Sequence, residues 1–285
     1  MDTYLARNDA PLNADEWNAI DNVVVDVAKR ILVGRRFLSI FGPLGAGIQD
    51  LDYNTFRGMD GAAIGMLGEE ETTPIRAEDR LHITIPLVYK DFVLYWRDIE
   101  TSRRMGFPLD LGAAAAAASY CAYAEDDLIF NGGAELGFAG LMTVQGRTTI
   151  DARDWAEAGS AFEDVVAATQ KLIENGFFGP FAVAVSPLRY SQMHRVYADS
   201  GVLEIEHVRA IATAGVFQTP VLKDYGMVFS VGPQNADIAI SQDLVTAYLG
   251  PQNLNHPLRV LESLVLRVKR PGAICTFESG KKQKN

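Results

Sequence analysis

The chain has 285 residues, 48% of them hydrophobic and 22% charged, and a formal net charge of -10. This composition is typical of a globular protein and excludes a disordered chain. The acidic balance repels phosphate backbones and therefore disfavours nucleic-acid binding. Cys121 and Cys275 form neither a CxxC pair nor a disulfide framework. Since there is also no signal-peptide pattern and no run of ~18 apolar residues, we expect a cytoplasmic protein that does not span a membrane.

The first predicted element is an amphipathic helix over residues 12–36. Asn13 or Asp15 can cap its start, and Gly34 is expected to end it. Its apolar stripe has two interpretations, a core-facing surface, which the residues alone favour, or a binding surface. A short strand over 37–41 follows and leads into a glycine-rich turn that lacks the Gly-Lys-Ser/Thr ending of a phosphate loop. The apolar residues of the stripe are Trp17, Ile20, Val24, Val27 and Ile31.

Residues 48–79 show no helical period, although they contain many apolar side chains. A structureless loop of this length is uncommon inside a compact domain, and its apolar content argues against disorder. We therefore predict an extended arm that buries its apolar residues on a neighbouring subunit. These residues include Met59, Ile64, Met66 and Leu67. A strand-like run over 80–95 and a short polar helix over 98–105 follow.

The longest predicted helix, which we call the spine, covers residues 109–131. Alanines occupy all of 113–118, and alanine has the highest helix propensity. A face of small side chains lets other elements approach closely. Near its end stand three consecutive acids, Glu125, Asp126 and Asp127. Adjacent helix positions point about 100° apart, so we expect these acids to pair with cations or remain solvated rather than bind a metal.

The second half of the chain predicts an α/β lobe followed by strands. A helix over 160–175 carries Ser160 as its cap and Glu163 three residues later. A wholly apolar strand follows over 181–186, with helices over 187–199 and 204–214. The remaining predicted strands cover 227–231, 237–241, 244–249, 258–269 and 273–278.

Local catalytic motifs are absent from the sequence. The four histidines have no metal-ligand spacing, no GxSxG motif occurs and no dinucleotide-binding fingerprint follows a strand. Carboxylate pairs that are distant in the chain remain open, because such partners need not share a motif. We therefore predict neither catalytic nor metal-binding residues.

Several segments taken together match one known family. They are GRRF at 34–37, FGPLG at 41–45, IPLVYKDF at 85–92, EDDLIFNG at 125–132, GPFA at 179–182, YSQ at 190–192, GVLE at 201–204 and ICT at 274–276. With these segments the chain resembles the encapsulin shell proteins, the encapsulated-ferritin and linocin-bacteriocin family, and is most similar to the myxobacterial type. The resemblance covers nearly the whole chain.

The resemblance implies an α+β architecture, the Hong Kong 97 phage major-capsid-like fold with a peripheral lobe, an extended arm and an axial lobe. Residues 1–46 would form the N-terminal helix and first strand on the inner wall, and 47–79 the arm. Residues 80–150 would form the peripheral domain with its spine helix at 109–131. Residues 151–232 would form the axial domain, and 233–285 the return strands of the peripheral domain and the tail.

The resemblance also implies a function. Encapsulins form closed icosahedral homo-oligomeric shells in the cytoplasm, and these nanocompartments enclose cargo with a C-terminal targeting peptide. The cargo is commonly a ferritin-like protein or a peroxidase, and the myxobacterial likeness implies iron storage and protection against oxidative stress. In the family the peptide docks near the N-terminal helix, which reverses the preference for a purely core-facing stripe. Carried over residue by residue, the cargo-peptide site would comprise Val24, Val27, Ile31, Arg35, Phe37, Ser39, Leu244 and Val245.

Some members of the family bind flavin through a tryptophan, which here would correspond to Trp96. The spacing from Trp96 to Gly106 departs from the family pattern, so a packed tryptophan is favoured over a flavin site. The alternative functions are a prophage major capsid protein of the same fold and, less favoured, a hydrolase or bacteriocin.

Overall fold

The computed structural model of the protein describes residues 3–57, 61–197 and 201–279. The helices are α1 (Ala14–Ile31), α2 (Trp96–Met105), α3 (Gly112–Asn131), α4 (Ser160–Glu174), α5 (Pro187–Gln192) and α6 (Glu204–Ile211). The strands are β1 (Ser39–Phe41), β2 (Asp50–Arg57), β3 (Arg76–Thr84), β4 (Leu87–Leu94), β5 (Gly132–Gly133), β6 (Phe138–Ala139), β7 (Thr148–Ala152), β8 (Phe181–Val185), β9 (Gly215–Gln218), β10 (Gly226–Ser230), β11 (Ala236–Tyr248), β12 (His256–Val268) and β13 (Ile274–Ser279).

Two sheets organise the chain. The first has the order β1-β11-β12-β4, with antiparallel pairs except for β1, which runs parallel to β11. The second has the order β7-β13-β10-β8-β9. Strands β7 and β13 are edge and neighbouring strands of this second sheet and pair in parallel. The partners of β7 and β13 are set by contacts between residues that are far apart in sequence.

Helix α1 begins as predicted and ends earlier. Asn13 is the cap, since its side chain accepts from the Glu16 backbone N–H and the Glu16 carboxylate accepts from the Asn13 N–H. The predicted end at residue 36 is wrong. The backbone N–H groups of Val33 and Gly34 donate to the Asp126 carboxylate instead of continuing the helix. A short 3-10 turn over Gly34–Arg36 follows.

The spine helix α3 is confirmed, although it starts at Gly112 rather than residue 109. The Asp110 carboxylate accepts from the Gly112 backbone N–H just before the first turn. Its buried face is built largely from small residues, which let α1 and the sheet strands β4 and β12 pack closely against it. The small buried residues of this face are Ala114, Ala117, Ala118, Cys121 and Ala122.

The arm is more regular than the sequence predicts. Strands β2 and β3 form an antiparallel hairpin, in which Leu51 pairs with Ile83 and Tyr53 with Leu81. Between the strands, Ile64 is 97% exposed and Met66 is 99% exposed, so the described part of their own chain leaves them uncovered. Met59 lies outside the described residues. Burial of this segment on a neighbouring subunit stays a prediction.

The second lobe contains further corrections. Helix α4 is capped by Gly159, and the Ser160 side chain makes no cap hydrogen bond, so the predicted capping box is wrong. The glycine adopts a left-handed φ of 98°, which Ser would disfavour. Helix α5 ends at Gln192 rather than 199, and the four-residue strand β9 was not predicted. The predicted strands over 237–241 and 244–249 are one strand, β11, with irregular register around Gln242.

We expect Gly34→Ala to destabilise the protein by about 1–3 kcal/mol, the usual cost of overpacking a core. A Cβ atom at Gly34 would lie 2.7 Å from Cδ1 of Ile129, which is fully buried. Gly47→Ala is the matched control, because a Cβ there meets no atom within 4 Å. The thermal unfolding midpoints of the two purified variants measure the difference. Equal midpoints would contradict the close approach of this turn to the spine.

Candidate functional site

Three of the predicted cargo-site residues meet where the end of α1 lies beside β11. Ile31 and Leu244 both pack, half-buried, against a small cluster formed by Ala28, Leu32 and Ala122. Val27 and Leu244 both pack against the larger core between α1, α3 and the first sheet. We call the surface formed by Val27, Ile31 and Leu244 the α1–β11 groove. It is an apolar strip that retains partial exposure, and it therefore suits contact with an apolar peptide.

Val24 and Phe37 lie beneath this surface rather than on it. Val24 is 1% exposed and packs in the core with Trp17 and Ile20. Phe37 is 6% exposed, and its ring lies 5.8 Å from that of Phe217, measured between centroids. Neither side chain is accessible to a peptide in this conformation, and Phe37 belongs to a different part of the core from Val24.

Ser39 is separated from the groove. It is the first residue of β1 and pairs with Asp237, seven positions before Leu244 on β11. At about 3.3 Å per residue, that spacing corresponds to roughly 20 Å along the strand. Only a peptide that continued along β11 could reach both residues, so the structure does not bring Ser39 together with Leu244.

Val245 faces a separate cavity of about 810 Å³. Its other walls are the N-terminal turns and the start of α1, including Leu5 and Trp17. The Tyr4 hydroxyl donates to Gln242 Oε1, and the Arg7 guanidinium lies 4.0 Å from the Trp17 ring centroid. The sequence predictions missed this N-terminal segment, because residues 3–9 precede the helix cap and show no hydrophobic period.

Arg35, predicted to contact a peptide, is instead the centre of an ionic cluster. Its Nε and Nη2 donate to the two carboxylate oxygens of Glu125 at 2.7 and 2.9 Å. Nη2 also donates to Glu262 Oε2 at 2.9 Å, and Nη1 donates to Asp243 Oδ1 at 2.7 Å. We call Arg35, Glu125, Glu262 and Asp243 the Arg35 cluster. It joins the turn after α1 to the spine and to both long strands of the first sheet.

The environment of the Arg35 cluster is strongly desolvated. Glu125 and Glu262 are both 0% exposed, whereas Asp243 is exposed. Burial by itself lowers the pKa of Arg35, but hydrogen bonds and charges of Glu125 and Glu262 outweigh it and hold the pKa above its ordinary value. The guanidinium is therefore a permanent cation.

The three consecutive acids of the spine have three different surroundings. Glu125 pairs with Arg35, which confirms the predicted pairing with a cation. Burial raises the pKa of Asp126 to about 6, and the N–H groups of Gly34 and Val33 oppose that rise. Asp127 is exposed and accepts from Asn131 Nδ2 at 2.7 Å. Among the described residues, no group of three or more His, Cys, Asp and Glu side chains is arranged to hold a metal ion.

Trp96, the predicted flavin contact, is the first residue of α2 and is partly exposed. The Arg97 guanidinium lies 5.6 Å from its ring centroid. These contacts do not distinguish a packed tryptophan from a flavin platform, so the flavin site stays a prediction.

In the described ranges, no helix has the length and apolar content needed to cross a bilayer.

Comparisons with known proteins bear on the family and the fold of the chain. A family model described as "Encapsulating protein for peroxidase" matches residues 1–265. The type 1 encapsulin shell protein EncA of Myxococcus xanthus is 50% identical over 279 residues, which cover 98% of this chain and 97% of that protein.

Two solved structures confirm the capsid-like fold. The crystal structure of a virus-like particle from Pyrococcus furiosus is similar with a TM-score of 0.75 at 20% identity, over 92% of this chain and 99% of that one. The capsid of Myoviridae phage XM1 gives a TM-score of 0.61 at 11% identity, over 85% of this chain and 90% of that one. The predicted fold class is thus confirmed.

We expect Arg35→Ala to cost about 3–5 kcal/mol, because it leaves two buried carboxyl groups without their cation. Arg259→Ala is the matched control. Arg259 also binds one carboxylate, that of Asp91, through two hydrogen bonds, but the pair is partly exposed and should contribute about 0–1 kcal/mol. Thermal unfolding of the purified variants measures both effects. An equal loss of stability in the two variants would show that burial does not increase the contribution of the Arg35 cluster to stability.

Proposed function

The chain belongs to the encapsulin shell-protein family, and from that membership we propose that its copies assemble into a closed icosahedral cage that encloses cargo in the cytoplasm. The observation that carries the cargo-binding part is the α1–β11 groove. There α1 brings two half-buried aliphatic side chains against Leu244 of the long strand. The function is confinement of other proteins, with no chemistry performed by the shell.

The arm supports the assembly part of the proposal. Its loop exposes four large apolar side chains that the described part of the same chain leaves uncovered. Exposed apolar clusters of this kind mark contacts between proteins. In a closed shell, a neighbouring subunit would cover them. The four side chains are Ile64, Met66, Leu67 and Ile75.

The groove fits the apolar side chains of an extended targeting peptide. Val27 and Ile31 are four residues apart, so they lie on one side of α1, and Leu244 forms the opposite wall. Backbone recognition would come from the exposed bulge of β11 near Asp243. Arg35 would act indirectly, because its guanidinium is already bound by carboxylates.

We propose a ferritin-like protein or a peroxidase as the cargo, with iron storage and protection against oxidative stress as the cellular role. The peroxidase rests on the description of the matching family model. The ferritin-like cargo rests on the likeness to the myxobacterial type. The acidic net charge of -10 favours entry of cations such as iron through openings of the shell.

Electron microscopy of the protein expressed alone tests the assembly. We expect uniform hollow spheres, since the exposed apolar arm needs a partner and copies of the chain supply it. A prophage capsid protein would instead require scaffold and protease partners before closed particles form. A monomer or a small oligomer would contradict the shell proposal.

Co-expression tests the groove. A ferritin-like protein and a dye-decolourising peroxidase, each with its own C-terminal targeting peptide, are expressed in turn with wild-type shell, Ile31→Asp or Val25→Asp. The cargo that loads into wild-type shells should load about tenfold less or worse into Ile31→Asp. Burial of an apolar side chain is worth about 1.5–3 kcal/mol, and ~1.4 kcal/mol is tenfold in affinity.

Val25→Asp is the control because Val25 lies on the exposed side of α1. It should load normally. The cargo-to-shell ratio of purified, intact particles is the measurement, with microscopy confirming that both variants assemble. Undiminished loading of Ile31→Asp would remove this residue from the groove.

A further inference from the structure

We infer that Glu262 and Glu125 share one proton, and that this proton makes the Arg35 cluster a pH-sensitive latch between the end of α1, the spine and the bulge of β11. The inference concerns the shell protein alone. It stands or falls independently of the cargo proposal, because its tests need no cargo.

The count of charges leads to this inference. One guanidinium faces two carboxyl groups that are both 0% exposed, and a third, Asp243, that reaches solvent. With both buried groups ionised, the interior would hold two negative charges against one positive. An unbalanced buried charge is costly, so proteins neutralise it by protonation.

Unsatisfied hydrogen bonding identifies where the proton is held. Glu262 Oε2 accepts from Arg35, but Glu262 Oε1 is buried and, as a carboxylate oxygen, has no hydrogen-bond partner in the part of the chain that the structure describes. A proton on Oε1 turns this atom into a donor. The neighbouring carboxylate that can accept is Glu125, since Arg35 Nη2 donates both to Glu125 Oε2 and to Glu262 Oε2 at 2.9 Å. The protonated form therefore satisfies a buried atom that the ionised form leaves unpaired.

The groups around Glu262 also favour its protonated form. Burial raises the pKa of Glu262 well above its ordinary value, and the charges of Glu125 and Asp243 raise it further, while Arg35 lowers it. Cys121 on the spine also faces Glu262, and burial raises the pKa of its thiol to about 12. It therefore stays neutral and adds no charge.

Other charged groups border the Arg35 cluster from the packed elements. Lys90 and Asp91 on β4 act on Cys121, with opposite signs. Asp126 on the spine is bound by backbone N–H groups, with Arg36 nearby. Arg35 is thus the cation in contact with Glu262, and no second cation among the described residues is hydrogen-bonded to it.

The sign of the pH dependence follows from linkage. In the closed latch Glu262 keeps a proton that it releases on opening, because an exposed glutamic acid has an ordinary pKa of 4.5. The latch is therefore most stable in acid and weakens as pH rises above that value. Opening is linked to one proton, so its equilibrium constant rises about tenfold per pH unit until the closed form also ionises.

The segment that the latch would release adjoins the groove. Arg35 holds Asp243, and Asp243 Oδ1 accepts from the Leu244 backbone N–H at 2.8 Å. The Gln242 N–H donates to Ser263 Oγ on β12. Opening therefore frees the bulge that carries Leu244, whereas the turn that follows Ile31 stays bound to Asp126 through the N–H groups of Val33 and Gly34. High pH should loosen one wall of the groove while leaving the second lobe unchanged.

Infrared spectroscopy of intact shells at pH 8 tests the shared proton. Wild type should show the C=O stretch of a protonated carboxylic acid. Glu262→Gln should lose it, and Glu125→Gln should also lose it, because Glu262 then ionises against Arg35. Glu163→Gln, at an exposed glutamate, should keep it. A band that survives in both cluster variants, or that is absent from wild type, would overturn the inference.

Hydrogen exchange between pH 6 and 9 tests the latch. The exchange rates of the buried strand β8 correct for the intrinsic pH dependence of amide exchange. After that correction, exchange in 242–245 should rise by up to about tenfold per pH unit in wild type. Glu262→Gln should remove this rise, since its amide donates to Glu125 at every pH. Equal pH dependence in the two proteins, or none in wild type, would overturn the latch.

Discussion

The fold depends on how a permanent cation is accommodated inside it. Arg35 can be largely buried because three carboxylates, each from a different element, form salt bridges with it. They are Glu125, Glu262 and Asp243. A buried ion pair adds little net stability compared with apolar packing, but removing one partner is expensive. The Arg35 cluster therefore contributes mainly to the specificity of the fold rather than to its net stability. It allows one placement of α1 relative to the spine and the long strands, and that placement creates the α1–β11 groove.

Close approach of backbone makes this placement feasible. Gly34 lies where a Cβ would collide with Ile129, and the adjacent N–H groups bind Asp126 one residue further along the spine than Glu125. Two neighbouring acids thus fix one turn, Glu125 through the Arg35 side chain and Asp126 through the backbone N–H groups of Val33 and Gly34. The alanine-rich face of α3 lets α1 lie near enough for both contacts. The small residues of α3 and its two buried acids, Glu125 and Asp126, thus hold the same turn against the spine.

The sequence predicts those features that local periodicity controls. The start of α1, the spine, α4 and the wholly buried β8 have strong hydrophobic patterns, and each appears close to its predicted place. The hairpin β2–β3 and the short β9 were missed, because strand pairing depends on distant partners. The roles of Glu262 and Asp243 were missed for the same reason. Each is ordinary in its own segment and acquires meaning only beside Arg35, more than 200 positions earlier.

The core-facing interpretation of the α1 stripe holds for its buried residues, and the binding-surface interpretation stays a prediction for the half-buried ones. Successive helix positions rotate by about 100°, so Val24 and Ala28 point into the core while Val27 and Ile31 lie at its border. A stripe wider than the core needs can serve both purposes at once. The buried part anchors the helix, and the border part remains half-covered unless something else packs on it. On the other side of that border, Arg35 binds Asp243, and Asp243 in turn accepts from the Leu244 N–H, so the Arg35 cluster also positions the β11 residue that borders α1.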